Sequence, residues 1–181
     1  MKSSAPQTGV IEPEALFRRL FQGISAENLP PNGASLWTAA VKKTLRRIAA
    51  EVEPLLVPYS SDCDGEFLLD LIWLSPARGD KDANGRIVLG VECEWGGPDA
   101  VWFDFSKLLY IRAARKLLIC CLAPKTLQSS IRQFEKDIID AGGLESQEKY
   151  IVINFGDQQA EYWWCELPEP VKFRKGLRAS Y

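Results

Sequence analysis

Three carboxylates interrupt two otherwise apolar segments of the sequence. Asp70 lies within EFLLDLIWLS (66–75), and Glu92 and Glu94 lie within RIVLGVECEW (86–95). Both segments have the length and apolar content of buried strands. Ionised carboxylates are costly to bury unless something compensates their charge. Since residues two apart on a strand share a face, Glu92 and Glu94 are expected to project together.

The segment between the two strands sets their register. It reads SPARGDKDANG (75–85), which is typical of a polar hairpin loop. If Asp70 pairs with Glu92, the hairpin is centred at residue 81, within one residue of the middle of this loop. The acids are therefore expected on neighbouring strands, within side-chain reach of one another. Clustered carboxylates of this kind are typical of a magnesium site.

Two other interpretations account for the same acids. In the first, they line a wet sheet face or form ion pairs with nearby cations, namely Lys107, Arg112 or Lys116. In the second, Asp70 and Glu94 are the catalytic pair of a glycosidase. Such enzymes need a long sugar cleft, for which a chain of 181 residues offers little room.

The composition of the chain excludes several classes of catalytic and metal site. The length of 181 residues fits one domain, and 22 Lys and Arg against 24 Asp and Glu mean that a nucleic-acid surface must come from local patches. The sequence contains no histidine, which excludes His-based triads, His-metal nucleases and His phosphotransfer. The five cysteines lack the paired spacing of a zinc site, and no signal peptide or membrane-spanning apolar run is present. We therefore expect reduced thiols, no membrane contact and a cytoplasmic location.

Hydrophobic periodicity predicts an α/β fold in which helices flank a central mixed sheet. Residues 1–10 are expected to be flexible, residues 11–166 to form a single domain and residues 167–181 to form a basic C-terminal tail. Ser35 is the predicted N-cap of the second helix. The predicted helices are 12–24, 35–53, 100–115 and 126–141, and the predicted strands are 66–74, 86–95, 116–123, 150–156 and 160–167.

The order of these elements resembles the PD-(D/E)XK nuclease superfamily, whose fold is called restriction-endonuclease-like. The resemblance covers roughly residues 35–155: a helix, the strand with Asp70, the strand with Glu92-Cys93-Glu94, the helix carrying DFSKLL and a further strand. It implies two acids that hold magnesium and a lysine that assists the attacking water. By position, Asp70 matches the first acid and Glu92 the second, and the Cys93 carbonyl is a further ligand.

The sequence departs from this pattern at Glu94, which stands where the superfamily has lysine. Some similar members have glutamate there, and others carry the lysine on the following helix, where Lys107 would serve. We therefore expect the amine of Lys107 to point toward the carboxylates; its alternative role is that of a solvated surface lysine. The resemblance also suggests that an acid of the first helix, Glu51 or Glu53, completes the site.

The resemblance implies a metal-dependent phosphodiesterase that acts on nucleic acid, with DNA as the expected substrate. The expected catalytic residues are Asp70, Glu92, Glu94 and Lys107, and the first three of these would bind Mg²⁺, with Mn²⁺ as a substitute. The expected nucleic-acid contacts are the basic helix face 42–47, Arg112, Arg115, the tail 172–178 and Trp95, Trp102, Trp163 and Trp164. A homodimer is a further expectation at the level of the superfamily.

A non-catalytic member of the same fold is the alternative. It would be a nucleic-acid-binding or protein-interaction module with a remnant acidic site. This alternative predicts acids held in salt bridges and an exposed apolar patch.

Overall fold

The computed structural model describes residues 11–30, 33–52, 56–60, 68–75, 85–142, 147–156, 159–168 and 170–180. Within these residues, four helices flank a seven-stranded mixed sheet, which confirms the predicted α/β class. The expected flexible segment 1–10 lies outside the described residues.

The helices begin and end close to their predicted bounds. They are α1 (Pro13–Ser25), α2 (Ala34–Val52), α3 (Pro98–Tyr110) and α4 (Pro124–Asp140). Three of them begin with proline, whose fixed φ suits the first helical position and whose missing N–H is not needed there. The second begins at Ala34, so the predicted cap Ser35 lies inside its first turn instead.

The strands follow one another across the sheet in chain order. They are β1 (Val57–Ser60), β2 (Leu71–Leu74), β3 (Ile87–Glu94), β4 (Ala113–Cys120), β5 (Lys149–Phe155), β6 (Gln159–Glu166) and β7 (Arg174–Ser180). Strands β3, β4 and β5 run parallel, with α3 and α4 as the crossovers, and the outer strands are antiparallel. The carboxyl ends of β3, β4 and β5 therefore share one edge of the sheet, and β2 begins at that edge.

The third helix ends earlier than its periodicity predicts. It ends at Tyr110 rather than at residue 115, and β4 begins at Ala113. Ala113 pairs with Ile87 of β3, and Arg115 pairs with Lys149 of β5. Sheet pairing on both sides thus outweighs the helical spacing of this short segment.

The register of β2 and β3 agrees with the sequence prediction. Leu71 lies opposite Val91, and Ile72 lies opposite Gly90. The same register, continued by one residue, places Asp70 opposite Glu92. Asp70 itself lies in a bend just before β2, which is shorter than the predicted strand.

A hydrophobic core covers each face of the sheet. Helices α1 and α2 bury apolar stripes on one face, and α3 and α4 do so on the other. The first core includes Leu16, Leu45, Ile48, Leu71 and Val91, and the second includes Val101, Phe105, Leu118, Phe134 and Val152. The edge that carries Asp70 and Glu92 therefore lies between two layers of helices.

The predicted basic tail is wrong for residues 174–180, which form β7 and pair with β6. Three of the four positive charges that suggested a tail have partners within the sheet. Glu161 of β6 ion-pairs with Lys175 and accepts a hydrogen bond from Arg178 Nε at 3.0 Å. Arg174 and Lys175 also lie over the rings of two tryptophans of β6, each 5.0 Å from the ring centroid.

None of the helices in the described residues is long and apolar enough to cross a membrane. Four cysteines fall within the described ranges, and none of the four forms a disulfide bond there. Three are buried in the sheet, and Cys121 is exposed at the end of β4.

Close packing at Gly176 generates a test of the sheet. Gly176 lies against the ring of Tyr162, so that an added Cβ would collide with it, and Tyr162 in turn packs on Phe17 at 4.9 Å between ring centroids. We expect Gly176→Ala to lower the free energy of unfolding by about 1–3 kcal/mol, because the ring cannot move without disturbing α1. Urea denaturation measures this loss. The exposed control Ser180→Ala should stay within about 0.5 kcal/mol of the parent, and equal losses would contradict the contact.

Candidate functional site

Asp70 is held at the sheet edge by two different elements. Its Oδ2 accepts a hydrogen bond from the backbone N–H of Cys93 on β3 at 2.9 Å. Its Oδ1 lies 3.4 Å from Nζ of Lys42, which reaches it from α2. The carboxylate thus has a fixed orientation against β3 and a counter-ion from the helix layer.

Glu92 is almost fully buried, with 2% of its surface exposed. Nζ of Lys107 lies 3.2 Å from Glu92 Oε1, so the prediction that this amine points toward the carboxylates is confirmed. The contact is an ion pair rather than a well-aligned hydrogen bond, since Oε1 has no hydrogen-bond partner of good geometry among the described residues. Lys107 therefore offers a counter-charge to Glu92 but leaves its Oε1 without a well-directed hydrogen bond.

Asp104 is the site residue that the sequence analysis missed. Its Oδ1 lies 2.7 Å from Nζ of Lys107, and its side chain is largely buried. Lys107 thus bridges two carboxylates, one from its own helix and one from β3. The available signal was the separation of three residues in DFSKLL, which places Asp104 and Lys107 side by side on a helix.

Glu94 holds the turn that leads into α3. Its Oε1 accepts the backbone N–H of Gly96 at 2.5 Å, two residues before the helix begins at Pro98. This contact fixes the start of the helix that carries Asp104 and Lys107. Glu94 therefore acts on the site by placing α3, and its charge contributes to raising the pKa of Asp104.

Burial and like charges change the ionisation of these groups. Burial raises the pKa of Glu92 to about 8; the charges of Asp104 and Asp70 add to this, and Lys107 opposes it. Burial likewise raises the pKa of Asp104, against the hydrogen bond from Lys107. For Lys107, burial lowers the pKa, but the hydrogen bond to Asp104 and the charge of Glu92 outweigh this effect and raise the pKa. Lys107 therefore remains cationic at neutral pH.

Other ionic groups lie away from the cluster. Glu51, suggested as a completing acid, is exposed and pairs with Arg19 at 3.3 Å on the surface between α1 and α2; Glu53 lies outside the described residues. Glu51 is therefore corrected to a surface residue, because its position on α2 faces α1 rather than the sheet edge. Lys116, one of the cations considered as a partner for the acids, is buried with Glu148 at 2.5 Å and the Tyr150 hydroxyl at 2.9 Å.

Two cations expected to contact nucleic acid are buried. Lys42 is 7% exposed and directed to Asp70, and Arg115 is 5% exposed and donates to the carbonyl of Ile11 at 3.0 Å. Their charge suggested a solvated position, but their long side chains reach anionic or carbonyl partners inside the fold. Both assignments are corrected, whereas Lys43 and Arg47 of the same helix are exposed.

Aromatic side chains near the site differ in exposure. Trp95, which follows Glu94, donates its Nε1–H to Thr38 Oγ1 at 2.8 Å and is half-buried. Phe103 is 60% exposed, and its ring centroid lies 5.5 Å from Nζ of Lys107. Trp102 is also exposed and donates to Asp137 at 2.8 Å. The most accessible ring beside the ion cluster is thus Phe103.

The cluster offers carboxylate oxygens of the kind that bind magnesium, but lysine side chains form ion pairs with these carboxylates. Carboxylate oxygens are the ligands that Mg²⁺ prefers, and the buried Glu92 Oε1 lacks a well-directed hydrogen bond. In the arrangement seen among the described residues, no group of three or more acids or cysteines is spaced to hold a metal. Mg²⁺ is often bound by only one or two protein carboxylates together with water and substrate phosphate. Asp70 and Glu92 fit that smaller ligand set.

Comparison with known proteins does not assign the chain to a family. No protein-family model matches the chain, and no curated protein matches it significantly.

The raised pKa of Glu92 predicts an unusual dependence of stability on pH. Glu92 ionises near pH 8 in the folded chain, against 4.5 as the ordinary value. The folded state therefore holds an extra proton between these values, and stability falls as pH rises through this window, by an amount on the order of 3 kcal/mol between pH 4.5 and 7. Asp104 contributes in the same direction. The chain has no histidine, so no imidazole titrates in the same range.

Urea denaturation in the presence of chelator at several pH values between about 5 and 8 measures this dependence. Glu92→Gln should flatten the decline because it removes the proton that the folded state retains. The control Glu27→Gln lies at the surface, where the carboxylate pairs with Lys43 at 2.7 Å, and should leave the slope unchanged. Parallel curves for the parent and Glu92→Gln would contradict the assigned burial.

Proposed function

We propose that this protein is a metal-dependent phosphodiesterase acting on nucleic acid, of the PD-(D/E)XK type. One observation carries the proposal: Lys107, on the helix after β3, is directed onto Glu92 at 3.2 Å. This is the place where the resemblance puts a relocated lysine. The order α2, β2, β3, α3, β4 and the register that sets Asp70 opposite Glu92 support it further.

Each residue of the cluster has a distinct role in this proposal. Asp70 and Glu92 would hold Mg²⁺, together with the carbonyl of Cys93. When bound, Mg²⁺ would polarise the phosphate and lower the pKa of a coordinated water. Lys107 keeps its proton, so it would orient the attacking water or neutralise negative charge on the phosphate as a hydrogen-bond donor. Glu94 would hold α3 in place rather than bind the metal, because one of its oxygens already accepts the Gly96 N–H.

The substrate in this proposal is DNA, and the location is the cytoplasm. The lack of a disulfide bond among the described cysteines supports a reducing compartment. The exposed cations proposed to contact the phosphate backbone are Lys43 and Arg47 on α2 and Lys172, which precedes β7. Contacts to the backbone are therefore proposed for these residues in place of Lys42 and Arg115.

A non-catalytic binding module is the second candidate, and one observation favours it. The acids are held in salt bridges: Asp70 with Lys42, and Glu92 and Asp104 with Lys107. This is what a remnant site predicts. Helix α3 also exposes aromatic side chains, with Phe103 60% and Tyr110 83% accessible.

Metal-dependent cleavage tests the proposed function. Purified protein should cleave plasmid or single-stranded DNA, or RNA, with Mg²⁺ or Mn²⁺ and stop when the metal is chelated. Asp70→Asn and Lys107→Met should each lower the cleavage rate at least about 100-fold, the size expected when a positioned acid–base or electrostatic group is lost. The matched controls Asp140→Asn and Lys136→Met remove exposed charges of α4 and should cleave like the parent. Circular dichroism checks that all four variants are folded.

Metal binding separates the two candidate functions. Mg²⁺ or Mn²⁺ should raise the melting temperature of the parent, because a ligand that binds only the folded state stabilises it, and Asp70→Ala or Glu92→Ala should abolish this shift. A binding module would instead retain labelled oligonucleotides or a protein partner in the presence of chelator. If the parent shows neither a metal-dependent shift nor cleavage of any of these substrates, the nuclease proposal fails and the module replaces it.

A further inference from the structure

Lys107 makes two unequal contacts within the candidate site. Its Nζ lies 2.7 Å from Asp104 Oδ1 and 3.2 Å from Glu92 Oε1. Both contacts are ion pairs, and the one with Asp104 is the shorter. Lys107 is therefore held more firmly by Asp104 than by Glu92.

The two contacts also differ in what holds the partners together. Asp104 and Lys107 lie three residues apart on α3, so the helix itself fixes their separation. Glu92 belongs to β3, and its distance from Lys107 depends on how α3 packs on the sheet. The Asp104 contact can therefore persist while the Glu92 contact changes.

A divalent cation at Glu92 would compete with Lys107 for the same carboxylate. Two cations a few ångströms apart in a buried site repel one another, so Lys107 must move or be held by another anion. Asp104 is 8% exposed, and Lys107 is its ion-pair partner among the described residues. Asp104 therefore supplies the anion that keeps Lys107 near the site.

We propose that Asp104 is a positioning residue that retains Lys107 beside the reacting groups when a divalent cation takes Glu92. The inference rests on the proposed function, because it assumes that a cation binds at Glu92. Asp104 acts through Lys107 and does not itself bind the cation. The lysine then alternates between a bridging position in the metal-free protein and an Asp104-held position in the loaded protein.

The first part of the test needs no metal. Double-mutant cycles measured by urea denaturation with chelator compare Lys107→Met combined with Asp104→Asn and with Glu92→Gln. The coupling of Lys107 to Asp104 should exceed its coupling to Glu92. A coupling that is equal or smaller would overturn the proposed hold of Asp104 on the lysine, whether or not the protein is a nuclease.

The second part titrates Mn²⁺ alone into each folded variant by calorimetry. Lys107→Met should bind Mn²⁺ about tenfold more tightly than the parent because a competing cation is removed, and Asp104→Asn should bind about tenfold more weakly because Lys107 then rests on Glu92 alone. The double variant should bind like Lys107→Met. Asp104→Glu, which keeps the carboxylate, should recover most of the affinity lost in Asp104→Asn, and Asp140→Asn should match the parent.

Results other than these would overturn the positioning role, the proposed function or both. A double variant that binds much more weakly than Lys107→Met would make Asp104 a metal ligand and overturn the positioning role. Equal Mn²⁺ affinity in all variants, with cleavage intact in the parent, would also overturn it while the proposed function stands. If neither the parent nor Lys107→Met binds Mn²⁺ and the parent does not cleave, the proposed function and this inference fail together.

Discussion

The site depends on one buried charge, that of Glu92. A carboxylate that is 2% exposed must be protonated or paired, because an isolated ion in the interior is strongly unfavourable. The pKa of Glu92 is raised to about 8, so most of the carboxyl is protonated at neutral pH, and Lys107 pairs with the charged form once it ionises. Since Lys107 lies on α3, the position of α3 on the sheet decides whether Glu92 can ionise. Glu94 and Gly96 form a hydrogen bond in the turn that leads into this helix.

Each of the two helix layers contributes a lysine to the same edge of the sheet. Lys42 reaches Asp70 from α2, and Lys107 reaches Glu92 from α3, although these helices pack on separate hydrophobic cores. The parallel order of β3, β4 and β5 brings this about, because it places the carboxyl ends of the strands and the start of β2 together. A shift of either helix against the sheet would therefore change the balance of charge around both acids.

The sequence predicts the backbone of the site better than its side-chain partners. The register of β2 and β3 follows from the position of one polar loop, because a hairpin has a single midpoint, and the approach of Lys107 follows from the resemblance. Lys42 could not be placed in this way. It is one of four basic residues within 42–47 of α2, and their sequence does not show which one turns inward. The strand β7 was missed for a similar reason, since the partners of its cations, Glu161 and the β6 tryptophans, are identified only once the strands are paired.

Lys116, a buried cation on the same face of the sheet, differs from the Glu92 cluster in its hydrogen bonds. Lys116 is also fully buried, but it has hydrogen bonds of good geometry to Glu148 and to the Tyr150 hydroxyl. Glu92 Oε1, by contrast, lacks an aligned hydrogen bond among the described residues and lies close to the negative charges of Asp70 and Asp104. Replacing a buried ion pair by apolar residues is often neutral or stabilising, so stability alone gives little reason to keep such an arrangement. A carboxylate oxygen without an aligned hydrogen bond beside a lysine is compatible with a further cation, and this supports the metal site proposed above.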